Sequence, residues 1–315
     1  MGILVVGSVA LDSVKTPYGK REEILGGAAT YFSIAASYFT DVSMVAVVGD
    51  DFPEEHVSFF VRKGIDISGL ERQKGNTFRW KGEYGQDLNT RTTLDTQLNV
   101  FASFSPKLQN AHRSHGYLFL GNIDPELQLL VLEQMKRPRL VACDTMNYWI
   151  ESKREALLKT LAKVDLLIIN DEESRQLAKE KNLIRAARLI LSLGPKTLVI
   201  KRGEYGALLF NSTSVFSAPA FPVEEVMDPT GAGDSFAGGM MGYLAASGTC
   251  DDATLRKAAI FGSVMASFSI MGFGPHHLGD LTFPEIEARY QEFHKLAFFE
   301  DVSRRPRGDE RSMLP

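Results

Sequence analysis

The chain has 315 residues, with 35 Lys and Arg against 39 Asp and Glu, for a formal net charge of −4. That length can bury one large core, and the slightly acidic balance gives no general pull toward nucleic acid. No run of about 18 apolar residues appears, which argues against a membrane partner. The two cysteines, Cys143 and Cys250, are too few for a disulfide framework or a cysteine-based metal site.

The opening MGILVVGS lacks a basic leader and a small-residue cleavage site, so it reads as a buried first strand of a cytoplasmic protein. Further apolar runs, VSMVAVVGDD, GYLFLGN, LVACDT, DLLIIND and TLVIKRG, also read as buried strands. Amphipathic helical stretches lie between most of them, over residues 31–39, 52–63, 126–135, 153–161, 172–180 and 184–193. Strands alternating with helices predict an α/β fold with a mostly parallel sheet covered on both faces. Ligands of such sheets bind at the carboxyl ends of the strands. Asp12, Asp50, Asp51, Asn122, Asp144, Asn147, Asn170 and Lys201 all follow an apolar run, and the rule gathers them in one place.

Two segments break the alternation. Residues 13–25 and 76–104, rich in Thr, aromatic and charged residues and with Tyr84-Gly85 as a turn, predict β-hairpins. These form either a small lid over the strand ends or an extension of the main sheet. Arg79, Lys81 and Arg91 then face a ligand or stay as solvated edge charges, the second being the usual fate of such residues. His112 and His115 in HRSH lack a partner at metal-ligand spacing. Residues 299–315, with Arg304, Arg305 and Arg307 beside Asp309 and Glu310, are expected to be a flexible tail.

The most informative stretch is MDPTGAGDSFAGGMMGYLAASG. Glycines before a helix, here expected over 235–246 with Gly248 as its stop, leave free N–H groups at the positive end of the helix dipole, which suits phosphate. Asp234 would lie beside that anion, a costly position unless it takes a proton from an attacking hydroxyl. A tight turn before a core helix is the plainer alternative. Neither GxxxxGK[ST] nor GxGxxG is present, which disfavours a P-loop enzyme and a dinucleotide-dependent dehydrogenase.

DPTGAGDSFAGGMM resembles the C-terminal signature of the ribokinase-like, or PfkB, carbohydrate kinases, and the resemblance extends over about residues 1–298. It implies a three-layer ribokinase-like fold with a mostly parallel central sheet and a small β lid. It also implies an ATP-dependent phosphotransferase acting on a hydroxyl of a sugar or related polyol. By the same resemblance Gly231, Ala232 and Gly233 form an anion hole, Asp234 is the general base, and Thr230 lies between the phosphate and cation sites. NDEE at 170–173 is similar to the family's NxxE motif, in which Asn170 and Glu173 hold the water shell of Mg²⁺; alone it reads as a helix N-cap. KRGEYGALL at 201–209 resembles the turn bordering the ATP phosphates, with Lys201 and Gly203 as nucleotide contacts. GSVALD and GGAATYF resemble the acceptor side, where Asp12 binds two hydroxyls and Gly26 and Gly27 let the backbone approach.

Asn122, Asp144 and Asn147 complete the expected acceptor set. Many sugar kinases carry an asparagine after the double glycine, where this chain has Ala28, Ala29, Thr30, Tyr31 and Phe32. That departure, with the aromatic lid, keeps a nucleoside kinase open as the alternative, and a ligand-sensing member without transfer as the rival from another class. FGPHH at 273–277 falls where the family closes its nucleotide and monovalent-cation sites, which leaves K⁺ dependence open. The resemblance likewise admits a homodimer joined through the lid.

Overall fold

The computed structural model describes residues 2–299. The basic and acidic residues of the expected tail, 300–315, lie outside the described residues. Thirteen strands form two sheets. The first comprises β1 (Ile3–Val6), β4 (Val42–Gly49), β5 (Ile65–Gln73), β8 (Tyr117–Leu120), β9 (Leu140–Cys143), β10 (Leu166–Asn170), β11 (Thr197–Lys201), β12 (Ala207–Phe210) and β13 (Val215–Ala218). The second comprises β2 (Ala10–Thr16), β3 (Gly19–Gly26), β6 (Phe78–Tyr84) and β7 (Arg91–Gln97).

The main sheet runs in the order β13-β12-β11-β10-β9-β8-β1-β4-β5. Every pairing from β5 through to β11 is parallel, and only the β11–β12–β13 end is antiparallel. Its inner strands are buried on both faces, which is why they read as unbroken apolar runs: ILVV, YLFL and LVAC have no exposed position. Alternate residues feed separate cores. Ile3 and Val5 of β1 pack under the helices Ala28–Ser37, Ala232–Ser247 and Asp252–Ser269, whereas Leu4 and Val6 join a second core that includes Leu157, Leu177 and Ile190 from helices on the other face. β5, whose burial is mixed, escaped the sequence reading because Gly69 and the charged residues of IDISGLERQ hide its pattern.

The small sheet, in the order β3-β2-β6-β7, is a body of its own and not an extension of the main sheet. The second lid segment is shorter than the expected 76–104. After β7 the chain turns through Asn99–Ser103, and Val100 and Phe104 enter the core of the main body.

The helix Ala232–Ser247 sits centrally against the helix Ala28–Ser37 and the helix Asp252–Ser269. A side chain at Gly238 would collide with the Phe32 carbonyl and one at Gly242 would crowd Ala36, so the glycines in AGGMMGY let helix backbones meet at van der Waals distance. Packed that way, the helix brings its first turn beside Lys201, the last residue of β11.

Candidate active site

The helix begins at Ala232, three residues earlier than expected, so Asp234 lies inside its first turn. Gly231 caps it at φ 75°, a left-handed conformation, and a Cβ there would overlap the buried ring of Tyr31. Gly231 therefore answers to two constraints, the turn and the tyrosine beneath it. One of the three expected anion-hole donors already has a backbone partner in this structure. The Ala232 N–H donates to the Pro229 carbonyl at 3.2 Å, while the amides of Gly231 and Gly233 make no backbone hydrogen bond among the described residues. Two of the three expected donors are open, whereas the Asp234 amide is engaged by its own carboxyl group.

Lys201 ends β11 beside this mouth, its Nζ 2.8 Å from where a Cβ of Gly233 would stand. It bonds Asp144 Oδ2 at 3.4 Å, and both side chains are largely buried. Burial works against the ammonium, but Asp144, Glu173 and Asp234 outweigh it and hold Lys201 above the usual lysine value. The carboxylates move the other way. Burial, reinforced by Asp144, raises Asp234 to about 7, with Lys201 and Arg91 opposing. Burial and Asp144 likewise raise Glu173 to about 7, and burial lifts Asp144 above the usual range against the pull of Lys201.

Asn170 and Glu173 form a reciprocal cap on the helix Asp171–Ala178. Glu173 N–H donates to Asn170 Oδ1 at 2.7 Å, and Asn170 N–H donates to Glu173 Oε2 at 2.8 Å. The plain N-cap reading of NDEE is thus correct, and it leaves Glu173 Oε1 without a hydrogen-bond partner among the described residues. No group of three His, Cys, Asp or Glu able to hold a metal occurs among the described residues. One open carboxylate oxygen on the largely buried Glu173, within electrostatic reach of Asp144, fits a divalent cation held through water and does not fit an all-protein cage.

On the acceptor side, Asp12 of β2 is buried and stands against the double glycine. A Cβ at Gly26 would overlap Asp12 Oδ2, and one at Gly27 would come within 2.5 Å of the Ser8 carbonyl. Burial raises Asp12 to about 7, opposed by a hydrogen bond from the Gly27 backbone and reinforced by Asp228 and Asp234. Asp228 is also buried and raised. Its Oδ1 accepts from Thr230 N–H at 2.9 Å, and its Oδ2 is buried without a partner. An orphaned buried carboxylate oxygen suits a monovalent cation.

Not every expected residue converges here. Asn147 turns away and donates from Nδ2 to Gln176 Oε1 at 2.9 Å. Asn122, just past the end of β8, keeps a buried Oδ1 without a hydrogen-bond partner. Arg79 lies on the outer lid face, paired with Asp51 and Glu23 at 2.7 and 2.9 Å, and Lys81 shares that face.

The sequence reading passed over two tyrosines. Tyr84, read only as a turn, receives a hydrogen bond from Thr230 Oγ1 at 3.2 Å and so ties the lid to the anion loop. Tyr31 lies buried under Gly231 within electrostatic reach of Asp228, Asp12 and Asp234. The alternation of Trp80, Gly82 and Tyr84 along β6 was the available signal, since every second residue of a strand shares a face. The lid tip also reaches the opposite wall, where Asn89 Nδ2 meets Glu204 Oε1 at 3.4 Å and Asn89 Oδ1 lies against Gly203.

The arrangement is an open helix N-terminus with a flanking lysine, a carboxylate poised near neutrality, a second buried carboxylate under a β lid, and a capped acidic turn able to hold a hydrated cation. Comparison with known proteins places these features in a family. The chain matches the model of the "pfkB family carbohydrate kinase" over residues 3–278. It is 29% identical over 249 residues to the cytidine kinase of Thermococcus kodakarensis, covering 77% of this chain and 88% of that protein. It is 24% identical over 305 residues to the ATP-dependent 6-phosphofructokinase of Thermoanaerobacterium thermosaccharolyticum, covering 86% and 88%. The structure of Burkholderia thailandensis nucleoside kinase in complex with inosine superposes with a TM-score of 0.77 at 19% identity, over 92% of this chain and 97% of that one. The chain belongs to the pfkB family of carbohydrate kinases and has the three-layer fold and ATP-dependent phosphotransferase character that go with it.

Proposed function

We propose that the protein transfers the γ-phosphoryl group of ATP to a hydroxyl of a nucleoside. The observation that carries this reading is the aromatic character of the acceptor side. Trp80, the register partner of Asp12 in the β2–β6 pair, and Tyr84 project from the same lid face as Asp12, and Tyr31 lies beneath Gly231 in a segment where many sugar kinases carry an asparagine. Flat apolar surface suits a nucleobase, whereas a free sugar or polyol needs more hydrogen-bond partners. The similarity to a cytidine kinase over most of both chains favours the same choice over the sugar or polyol reading.

In this reading Asp12 accepts hydrogen bonds from two ribose hydroxyls, and Gly26 and Gly27 admit the sugar. Asp234 takes the proton from the attacking hydroxyl, and the open amides of Gly231 and Gly233 stabilise charge on the transferring group. Lys201 adds a point charge at the same corner, and Gly203 borders the nucleotide phosphates. Thr230 positions the loop between phosphate and cation sites. Asn170 and Glu173 would hold, through water, a magnesium ion that would neutralise the ATP phosphates. The buried Asp228 Oδ2 offers a place for K⁺ in the loop next to Gly274.

The test is ADP release from MgATP with purified protein against nucleosides, free pentoses and hexoses, phosphorylated sugars and inositols. Beside it runs Asp234→Asn, expected to lose about 10²–10⁴-fold in turnover with MgATP affinity retained. Asp234-dependent turnover of a nucleoside supports the reading. A kcat/KM higher for a free or phosphorylated sugar than for every nucleoside refutes it, and undiminished turnover in the variant removes Asp234 as the base.

A further inference from the structure

The strand that carries Asp12 ends on a second buried polar residue. From Asp12 onward the burial of β2 alternates, and Asp12, Val14 and Thr16 lie on one face, since residues two apart share a side of the sheet. The pairing of β2 with β6 runs without a slip from Ala10 to Lys15, so the extra residue of the β2–β3 pair falls in β3, where Glu23 adopts φ 49°. β2 is therefore a regular strand. At about 3.3 Å per residue it separates Asp12 from Thr16 by roughly 13 Å. Thr16 is 5% exposed, and its hydroxyl makes two bonds. It accepts from the Tyr18 N–H at 3.2 Å, which fixes the turn into β3, and it donates to the Met227 carbonyl at 2.9 Å, 211 residues away in the chain.

Met227 stands immediately before the loop that runs from Asp228 to Asp234. Its N–H donates to the Ile270 carbonyl at 2.8 Å, and the Asp228 N–H reaches the same carbonyl at 3.3 Å, so the segment is held between the lid and the end of the helix Asp252–Ser269. The Asp228 carboxyl in turn accepts from the Thr230 N–H and from the Gly274 backbone. The β2–β3 hairpin presses on that second stretch as well. The Arg21 guanidinium lies 4.9 Å from the centroid of the Phe273 ring, and Ile24 Cδ1 is 3.4 Å from where a Cβ of Gly274 would stand. Among the described residues, Thr16 from β2 and Tyr84 from β6 are the two lid side chains that reach residues 227–234 by a hydrogen bond.

We propose that Thr16 is a positioning residue, whose hydroxyl holds the loop from Met227 to Asp234 in register with Asp12. This rests on the reading of the site as a phosphoryl-transfer centre, with Asp12 on the acceptor and with Gly231, Gly233 and Asp234 at the transferring group. Thr16 acts through Met227 and not on the reacting atoms. Asp12 orients the acceptor from one end of β2, and the other end of the same strand pins the loop that bears the base and the open amides. Attack in line needs both partners placed closely, and a misplacement of about 1 Å lowers the rate on the order of 10²-fold. A β-branched side chain suits the task, because its restricted χ1 lets the strand dictate where the hydroxyl points. Acceptor binding at Asp12 and order in the anion loop are then coupled, each favouring the other.

The experiment compares wild type with Thr16→Val and Thr16→Ser, alone and in an Asp12→Ala background, by steady-state transfer and by amide hydrogen exchange. Thr16→Val keeps the branched shape without the hydroxyl, and should lower kcat by about 10–100-fold with acceptor KM and MgATP affinity within about threefold of wild type. Thr16→Ser keeps the hydroxyl and should return kcat to within about threefold. In the Asp12→Ala background the acceptor has already lost its orientation, so Thr16→Val should lower kcat by no more than about threefold further, a coupling that a residue needed only for folding would not show. Exchange over residues 226–234 should quicken by about tenfold or more in Thr16→Val, while β1, β8 and β10 keep their wild-type rates. Wild-type kcat in Thr16→Val overturns the proposal, as does a loss that serine does not restore or that is equally large without Asp12. Exchange needs no acceptor. Unchanged exchange over 226–234 therefore refutes the tie whatever the acceptor class, whereas faster exchange beside silence toward every nucleoside supports the tie and faults the acceptor reading alone.

Discussion

Gly26→Ala is the smallest change that should separate acceptor binding from nucleotide binding. Gly26 ends β3 opposite Ala10, and its φ lies outside the left-handed region, so alanine carries no backbone penalty there. The new Cβ would overlap Asp12 Oδ2 and Cγ outright and stand 3.1 Å from Asp12 Cβ. Ordinary carbon contacts begin near 3.5 Å, so the buried carboxyl must rotate or shift by something on the order of 1 Å. A shift of that size misaligns both hydroxyl bonds assigned to Asp12. Charge-assisted hydrogen bonds contribute about 1.5–3 kcal/mol each, so losing one or both lowers kcat/KM for the acceptor by about 10–10⁴-fold.

Initial rates against the acceptor at saturating MgATP, with MgATP affinity measured separately by titration, read the two sides independently. The reasoning also predicts strong non-additivity. In an Asp12→Ala background the added methyl finds room, so Gly26→Ala should cost little more. A Gly26→Ala enzyme with acceptor kcat/KM within about threefold of wild type would refute the placement of Asp12. Full additivity of the two changes would equally show that the glycine is needed for something other than space for the carboxyl.

The pH behaviour of rate and stability should run in opposite directions. With Asp234 raised to about 7, the base is ionised above that pH, so kcat/KM should fall tenfold per unit below it; an acid limb near 4 would show that burial does not govern the group. For stability, Asp12 at about 7 when folded and near 3.8 when unfolded stabilises the folded state below the unfolded value, and that contribution disappears as pH rises through 7. Asp12→Asn should accordingly raise the unfolding midpoint at pH 8 and change it little at pH 4. The ceiling is about 4 kcal/mol, from roughly three pKa units at 1.36 kcal/mol each. Equal midpoint shifts at both pH values would contradict the buried charge.

The parallel sheet was legible because β1, β8, β9 and β10 are buried on both faces and must be apolar throughout. The glycine turn and the helix it opens were legible because a left-handed turn and a helix start are written in five consecutive residues, Thr230 to Asp234. What stayed hidden depends on pairing between distant segments. Arg79 and Arg91 are both basic residues on lid strands, and only the register of β6 against β7 sends one outward to Asp51 and the other inward beside Tyr84. The loss of the Ala232 amide to Pro229 was equally invisible, since a tripeptide of small residues does not announce which N–H a preceding carbonyl will take. The partner of Asn147 was hidden in the same way: its position after a strand end is legible, but the Gln176 side chain it bonds lies two helices further along the chain.

The clustered carboxylates give the site an order of events. Asp12, Asp144, Glu173, Asp228 and Asp234 are all raised by burial, and Lys201 alone balances them from the main body. A tetra-anionic nucleotide entering that field would be repelled unless it brought a cation or the field were first neutralised. In the proposed reading Glu173 and Asp144 face the cation, and Lys201 and the open amides of Gly231 and Gly233 face the phosphates that accompany it. On that reading the acidic cluster makes bare nucleotide a poorer ligand than the cation-bound form, because only the latter brings positive charge to meet the carboxylates.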